Sequence, residues 1–178
     1  MAANDNPHVM RFIDSMTSHG EKEAAAKFAG EHPLDASAGP EKEFEWAGDL
    51  CSFLESNYDD ETVKAVRMDC ACGPEPDFAD QLKAVYEKDT DPDKFVDNIN
   101  KLDLGLSLEY DGDAYYLIYP ECYCACVNTN PAKVSKAWCY CTLGYTRCLF
   151  GTIFGKDVSV KLINSIKLGD ETCRIKIK

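Results

Sequence analysis

Leu104-Gly105-Leu106-Ser107-Leu108-Glu109, then Asp111-Gly112, then Tyr115-Tyr116-Leu117-Ile118-Tyr119: along this stretch the hydrophobic period of the chain turns from helical to strand-like. Leucine at every second position is what a half-buried strand requires, because successive side chains point to opposite faces of a sheet. Asp-Gly supplies the positive φ of a hairpin turn, so a tight turn is expected at Asp111-Gly112. The aromatic run after it suits a second strand. Pro120 predicts a bulge or an edge, after which the strand resumes from Cys122 to Val127.

Toward the N-terminus the period is helical. Phe44, Ala47, Leu50, Cys51 and Leu54 form one buried stripe after Pro40. Val63, Val66 and Cys70 do the same after an Asp59-Asp60 cap, with Gly73-Pro74 as the expected stop. Phe78, Leu82, Val85 and Tyr86 mark another helix, and Asp91-Pro92 opens one carrying Phe95, Ile99 and Leu102. Two weaker helices are expected over 7–18 and 20–30. Toward the C-terminus, Asn128-Thr129-Asn130-Pro131 is a turn, and residues 135–154 read as a long, buried, nearly all-apolar helix capped by Gly155. Val158, Val160 and Leu162 alternate, Gly169-Asp170 turns the chain, and Cys173, Ile175 and Ile177 alternate in a last strand. The expected fold is α+β: N-terminal helices followed by a β-β-α-β-β antiparallel sheet. Residues 1–178 form one domain in this reading, with a helical part over 1–102 and a sheet-and-helix part over 103–178.

A chain of 178 residues, 45% hydrophobic and 28% charged, is of ordinary globular composition. No apolar run approaches about 18 residues, so no membrane span is expected. Asn4, Asp5, Asn6 and Pro7 stand where a secretory signal would carry basic and then apolar residues, which leads to a cytoplasmic expectation. The net charge of −12 argues against nucleic-acid or membrane binding. It is unevenly spread: residues 1–129 hold 28 acids and 10 bases, residues 130–178 hold 3 acids and 9 bases. The halves match one another electrostatically within the molecule, or the basic end docks a partner.

Ten cysteines in a chain without an export signal point to metal binding, buried thiols or redox chemistry before a disulfide scaffold. Seven of them fall between Cys122 and Cys173, whereas the histidines are His8, His19 and His32. A site built by the second half alone therefore has no imidazole base. Cys122-Tyr123-Cys124-Ala125-Cys126 places three thiols on one face of the expected strand. Cys141 and Cys148 share a helix face, with Cys139 turned away. Free cysteine also packs well as a small buried hydrophobe, so both readings stay open, as does the role of Cys70 and Cys72.

Cys139-Tyr140-Cys141-Thr142-Leu143-Gly144-Tyr145 up to Gly155, Val158-Ser159-Val160, and Gly169-Asp170-Glu171-Thr172-Cys173 resemble the C-terminal part of the 4-vinyl reductase domain family, which includes sensory domains of bacterial regulators of aromatic hydrocarbons. The likeness covers about forty residues. It implies the ligand-binding fold of nitric-oxide-signalling and Golgi-transport proteins, a small apolar or aromatic ligand, and a zinc ion. Cys139 and Cys173 match two of the family's zinc ligands, while Ser165 and Leu162 stand where two others belong. The resemblance thus implies a rearranged zinc site of Cys139 and Cys173 with two of Cys122, Cys124 and Cys126.

Three functions follow as expectations. The leading one is a sensor-like binding module with an apolar pocket lined by Tyr115, Tyr116, Trp138, Tyr145, Phe150 and Phe154, passing its signal to a protein partner or a second copy. Another is an enzyme resembling 2-amino-thiazoline-4-carboxylate hydrolases, using metal-activated water or a thiolate activated by Arg147 or Arg174. The third is a metal- or redox-handling protein.

Overall fold

The structure is a computed structural model that describes residues 5–178. Six helices come first: α1 (Pro7–Ser18), α2 (Lys22–Glu31), α3 (Pro40–Asn57), α4 (Asp60–Asp69), α5 (Pro76–Lys88) and α6 (Pro92–Asn100). Then follow β1 (Ser107–Tyr110), β2 (Tyr115–Tyr119), the short α7 (Ala125–Asn128), the long α8 (Lys136–Phe154), β3 (Val160–Asn164), one 3₁₀ turn and β4 (Cys173–Ile177). The architecture is α+β, with helices preceding a four-stranded antiparallel sheet in the order β1-β2-β4-β3. No helix among the described residues is long and apolar enough to cross a membrane.

Local chemistry sets the helix starts. Asn6 accepts the His8 N–H and Pro7 follows it; Asp59 accepts from Thr62 and Asp91 from Lys94, each relieving an N–H that the first turn leaves unpaired. The Ser135 hydroxyl accepts the Ala137 N–H at the start of α8, and Gly155, at φ +64°, lies just past its end.

The chain divides into two compact units. One comprises residues 5–71 and 123–144; its core holds Phe12, Phe28, Trp46, Leu50 and Leu54, with Phe12 edge-on to Phe28 at 5.3 Å between ring centres. Here α8 passes the end of α4 so closely that a Cβ on Gly144 would stand 1.9 Å from the Met68 carbonyl oxygen, which is why only glycine fits.

The other unit comprises residues 72–122 and 145–178, so α5 and α6 belong with the sheet. Leu108, Leu117 and Ile175, each at most 1% exposed, sit side by side across three strands and form the buried face of the sheet. Asn100 holds the edge strand from both sides, donating to the Leu108 carbonyl at 2.9 Å and accepting its N–H at 2.8 Å. Bases of the C-terminal segment pair with acids of the hairpin: Arg174 with Glu109 at 2.6 Å, and Lys176 and Lys178 with Asp113. Part of the charge asymmetry is therefore matched within the molecule.

Two local expectations are corrected. The strand after Pro120 does not form: β2 ends at Tyr119, opposite Cys173, and Cys122 and Cys124 lie in a loop while Cys126 enters α7. Proline removes the ladder donor, and the Val127 and Asn128 N–H groups bond the Cys124 carbonyl instead, so the three thiols share no strand face. The tight turn expected at Asp111-Gly112 forms: the Asp111 N–H donates to the Ala114 carbonyl at 3.2 Å, Gly112 takes φ +91°, and the Asp111 carboxylate accepts the N–H groups of Asp113 and Ala114. Helix α4 stops at Asp69, before Gly73-Pro74.

Candidate functional site

In the sheet-bearing unit, the buried face of the sheet and three helices enclose a cavity of about 10 Å³. Its walls are Leu82 of α5, Phe95 and Ile99 of α6, Leu106 before β1, Leu108 and Leu117 of the sheet, and Leu149, Phe150 and Ile153 of α8. No polar side chain lines it, so although one water would nearly fit, it would find no hydrogen-bond partner there. Against this wall stands a cluster of rings: Phe95 edge-on to Tyr115 at 5.9 Å, Tyr115 against Phe154 at 5.3 Å, and Phe150 against Phe154 at 5.5 Å. Burial, followed by neighbouring Tyr86, pushes the Tyr115 hydroxyl up to about 12, so it stays protonated.

Of the residues expected to line a pocket, Phe150 lines this cavity, while Tyr115 and Phe154 belong to the ring cluster beside it. Tyr116 does not line it: its ring carries the Arg174 guanidinium at 4.3 Å and its hydroxyl donates to Asp111. Tyr145 is half-buried, its hydroxyl raised by burial and by nearby Cys72 and Cys148. Trp138 lies in the other unit. The alternation that placed Tyr116 with its neighbours also puts it on the opposite face from Tyr115 and Leu117.

The helical unit buries a different chemistry. Arg67, 3% exposed, belongs to the same α4 stripe as Val63 and Val66. Its guanidinium lies 4.3 Å from the Trp138 ring centre and donates to the Ala137 and Trp138 carbonyls at 3.4 and 3.2 Å. No carboxylate pairs with it among the described residues. Burial opposes its charge, whereas Cys141, Cys70, Cys51 and Cys124 favour it, and Arg67 stays protonated. Burial in turn pushes the Cys51 thiol up to about 12 and raises that of Cys70, with Arg67 pulling both the other way. The Trp138 indole N–H donates to Cys124 Sγ at 3.3 Å.

Beside this arginine, His8, Glu43 and Cys126 bring one nitrogen, one oxygen and one sulfur within 4.8 Å of one another. His8 sits in the first turn of α1, Glu43 in the first turn of α3 and Cys126 in α7, so three helix segments converge. The His8 Nδ1 accepts from Arg11 Nη2 at 3.0 Å, while Arg11 Nε donates to the Cys70 carbonyl at 3.1 Å. Burial first, then the Arg11 charge, lowers the His8 pKa from 6.5 to about 4, leaving a neutral imidazole at neutral pH. Asn6, 2% exposed, donates to Glu43 Oε1 at 3.3 Å while capping the helix that carries His8. Cys126 is fully buried, and burial followed by the Glu43 charge pushes its thiol up.

Of the expected zinc ligands, Cys126 belongs to this trio and Cys124 lies near it, whereas Cys139 falls in the helical unit and Cys173 in the sheet unit. His8 and Glu43 were not legible as partners of a cysteine more than eighty residues away. Arg67 left a usable trace, since it stands four residues after Val63 on a stripe that is otherwise apolar.

Residues 6–178 match the Family of unknown function (DUF6144). No curated protein matches the chain. Among solved structures, an NMR structure of a mutant H-NOX domain from Shewanella oneidensis in the Fe(II)CO ligation state has a TM-score of 0.46 and 14% identity, covering 98% of this chain and 97% of that one. A crystal structure of an H-NOX protein from S. oneidensis in the Fe(II)NO state has a TM-score of 0.44 and 14% identity, over 97% and 98% of the two chains. The family match covers nearly the whole sequence, and the chain belongs to DUF6144.

Proposed function

We propose that this member of the DUF6144 family is a small-molecule-binding module of the sensory kind, with its ligand seated in the apolar cavity of the sheet-bearing unit. The observation that carries the reading is the cavity wall, in which side chains from three helices and the sheet converge without one polar group. Such a wall offers water no hydrogen-bond partner, so an occupant has to be neutral and apolar. The resemblance of the Gly144-Tyr145 helix to the 4-vinyl reductase domain family, with its aromatic-hydrocarbon sensors, supports the same ligand class. At about 10 Å³ the cavity as it stands admits nothing larger than a small gas molecule, far below the roughly 300 Å³ of an ordinary small-molecule pocket, so an aromatic ring requires an enlarged cavity. Leu149 and Phe150 project from α8, whose residues up to 144 belong to the helical unit.

Xenon is the probe for the cavity as it stands. Under xenon pressure the methyl resonances of Ile99 and Ile153 should shift saturably, and those of Val9 and Val63 should not. In a Phe150→Ala variant, toluene at a hundredfold excess over Kd should raise stability by about 2.7 kcal/mol, visible as a rise in Tm of several degrees. Xenon-insensitive Ile99 and Ile153, together with no toluene response in the enlarged cavity, would remove the reading.

A further inference from the structure

We propose that His8, Glu43 and Cys126 form a three-ligand site for a divalent first-row transition ion, zinc foremost, in the helical unit. The site shares no residue with the apolar cavity and stands or falls apart from it. Imidazole nitrogen, carboxylate oxygen and thiolate sulfur are the donor types that zinc accepts together, and they exclude calcium and magnesium, which take oxygen alone. Zinc bonds of about 2.0–2.3 Å in a tetrahedron place ligand atoms roughly 3.3–3.8 Å apart. The three donors, all within 4.8 Å, need to close by no more than about 1–1.5 Å, and each stands on a helical turn whose backbone is fixed.

Two further features point to a ligand. The Cys126 thiol is 0% exposed and makes no hydrogen bond among the described residues, so a buried polar atom faces Glu43 and His8 without a partner. Asn6 supplies the support that metal ligands ordinarily have, fixing the Glu43 carboxylate and the helix turn of His8 from one buried side chain. On loading, the Cys126 thiol proton leaves to solvent, and the thiolate and the Glu43 carboxylate then balance the ion's two charges. Three protein ligands leave a fourth position, open to water or a small anion because His8 and Glu43 are only partly buried.

Arg11 gives the site its distinctive signature. A guanidinium only donates, so the lone pair of His8 Nδ1 is engaged by Arg11 and the ring proton sits on Nε2. An ion on Nδ1 takes the lone pair that Arg11 now holds, and an ion on Nε2 drives the ring proton to Nδ1, where it meets a donor; either way the Arg11 contact is lost. Arg11 therefore competes with the metal, and its removal should tighten binding.

The test is a cobalt(II) titration of the full-length protein under reducing conditions, read by the thiolate-to-cobalt charge-transfer band and the d–d bands of a tetrahedral ion. One equivalent should bind with a charge-transfer band. Cys126→Ser should abolish that band, Glu43→Gln and His8→Gln should weaken binding at least tenfold, and Arg11→Met should tighten it severalfold. Cys122→Ser, Cys139→Ser and Cys173→Ser should leave the spectrum unchanged, which separates this site from one made of cysteines alone. A band that survives Cys126→Ser, or that disappears with Cys139→Ser or Cys173→Ser, overturns the proposal, as does the absence of any band. Should Cys126→Ser fail to fold, Glu43→Gln, neutral and nearly isosteric, carries the test: unchanged affinity in that variant also overturns the assignment.

Discussion

Along α8 the two units use one helix for opposite purposes. Its first half, up to Gly144, buries Trp138, Tyr140 and Leu143 in a core that also contains a charged arginine and several thiols. Its second half buries Leu149, Phe150 and Ile153 in a core of leucine, isoleucine and aromatic rings. In the first core, polar groups are placed inside at the cost of desolvation, which is the arrangement found where chemistry or ion binding is done. In the second, the cavity wall itself is apolar, the buried polar side chains Thr146, Ser165 and Lys167 are not among the residues that line it, and Asn100 and Asp111 serve the backbone of the edge strand and of the turn. The two proposals turn on this difference: an ion is proposed for the core that holds Arg67 and the thiols, and an apolar molecule for the cavity whose wall has no polar side chain.

Two glycines on α8, one per unit, break or sharpen the comparison most strongly. A Cβ at Gly144 would meet the Met68 carbonyl oxygen at 1.9 Å and carbon at 2.8 Å, backbone atoms that cannot rotate away. Gly144→Ala should destabilise by about 3 kcal/mol, lowering Tm by roughly 6–12 °C. At Gly151 the nearest atom is the Lys156 carbonyl oxygen at 3.5 Å, an ordinary contact. Gly151→Ala should therefore stabilise, by up to about 1 kcal/mol from helix propensity. Equal Tm changes in the two variants would show that α8 does not press on α4 as described.

The hairpin, helix, hairpin course was legible because period-two alternation and the Asp-Gly and Gly-Asp turns are local signals, and the sheet realises them at Leu108, Leu117 and Ile175. The cysteine segment misled because Cys122-x-Cys124-x-Cys126 alternates like a strand while its backbone bonds are those of a short helix. Five residues cannot decide between the two when a proline precedes them. The trio proposed as an ion site was illegible for another reason: His8, Glu43 and Cys126 come from α1, α3 and α7, and nothing in their spacing marks a shared position. Burial of Arg67 was the nearest legible clue, through its place on the α4 stripe.

A smaller effect is expected where a polar side chain serves the backbone of the sheet-bearing unit. Asn100 makes two hydrogen bonds to Leu108, itself 1% exposed, so Asn100→Ala leaves a strand N–H and C=O without those partners. The loss should be about 2 kcal/mol, or roughly 4–8 °C in Tm, with hydrogen exchange speeding first at the Leu108 amide. Protection unchanged at Leu108 would mean that the sheet edge is held without Asn100.

The smallest expected effect lies at the hairpin turn, where an ionisable group of the sheet-bearing unit sits at the surface. The Asp111 carboxylate accepts from the Tyr116 hydroxyl at 2.7 Å and from the Ala114 and Asp113 N–H groups at 2.9 and 3.0 Å. Tyr116 first, then these amides, hold its pKa down to about 2, below the ordinary 3.8. A carboxylate whose folded pKa is depressed stabilises fully above the unfolded value, and that contribution is lost as pH falls from 3.8 through 2. Tyr116→Phe removes the largest cause and leaves the two amides, so the Asp111 pKa should rise yet remain below 3.8. Carboxyl-detected NMR titration of the variant reads this directly, while stability near neutral pH should scarcely change, because the group is exposed and screened. A pKa that stays at about 2 would assign the depression to the turn amides alone; one that returns fully to 3.8 would mean that the turn opens without Tyr116, and the hairpin would then owe its four-residue turn to a side chain rather than to Asp111-Gly112.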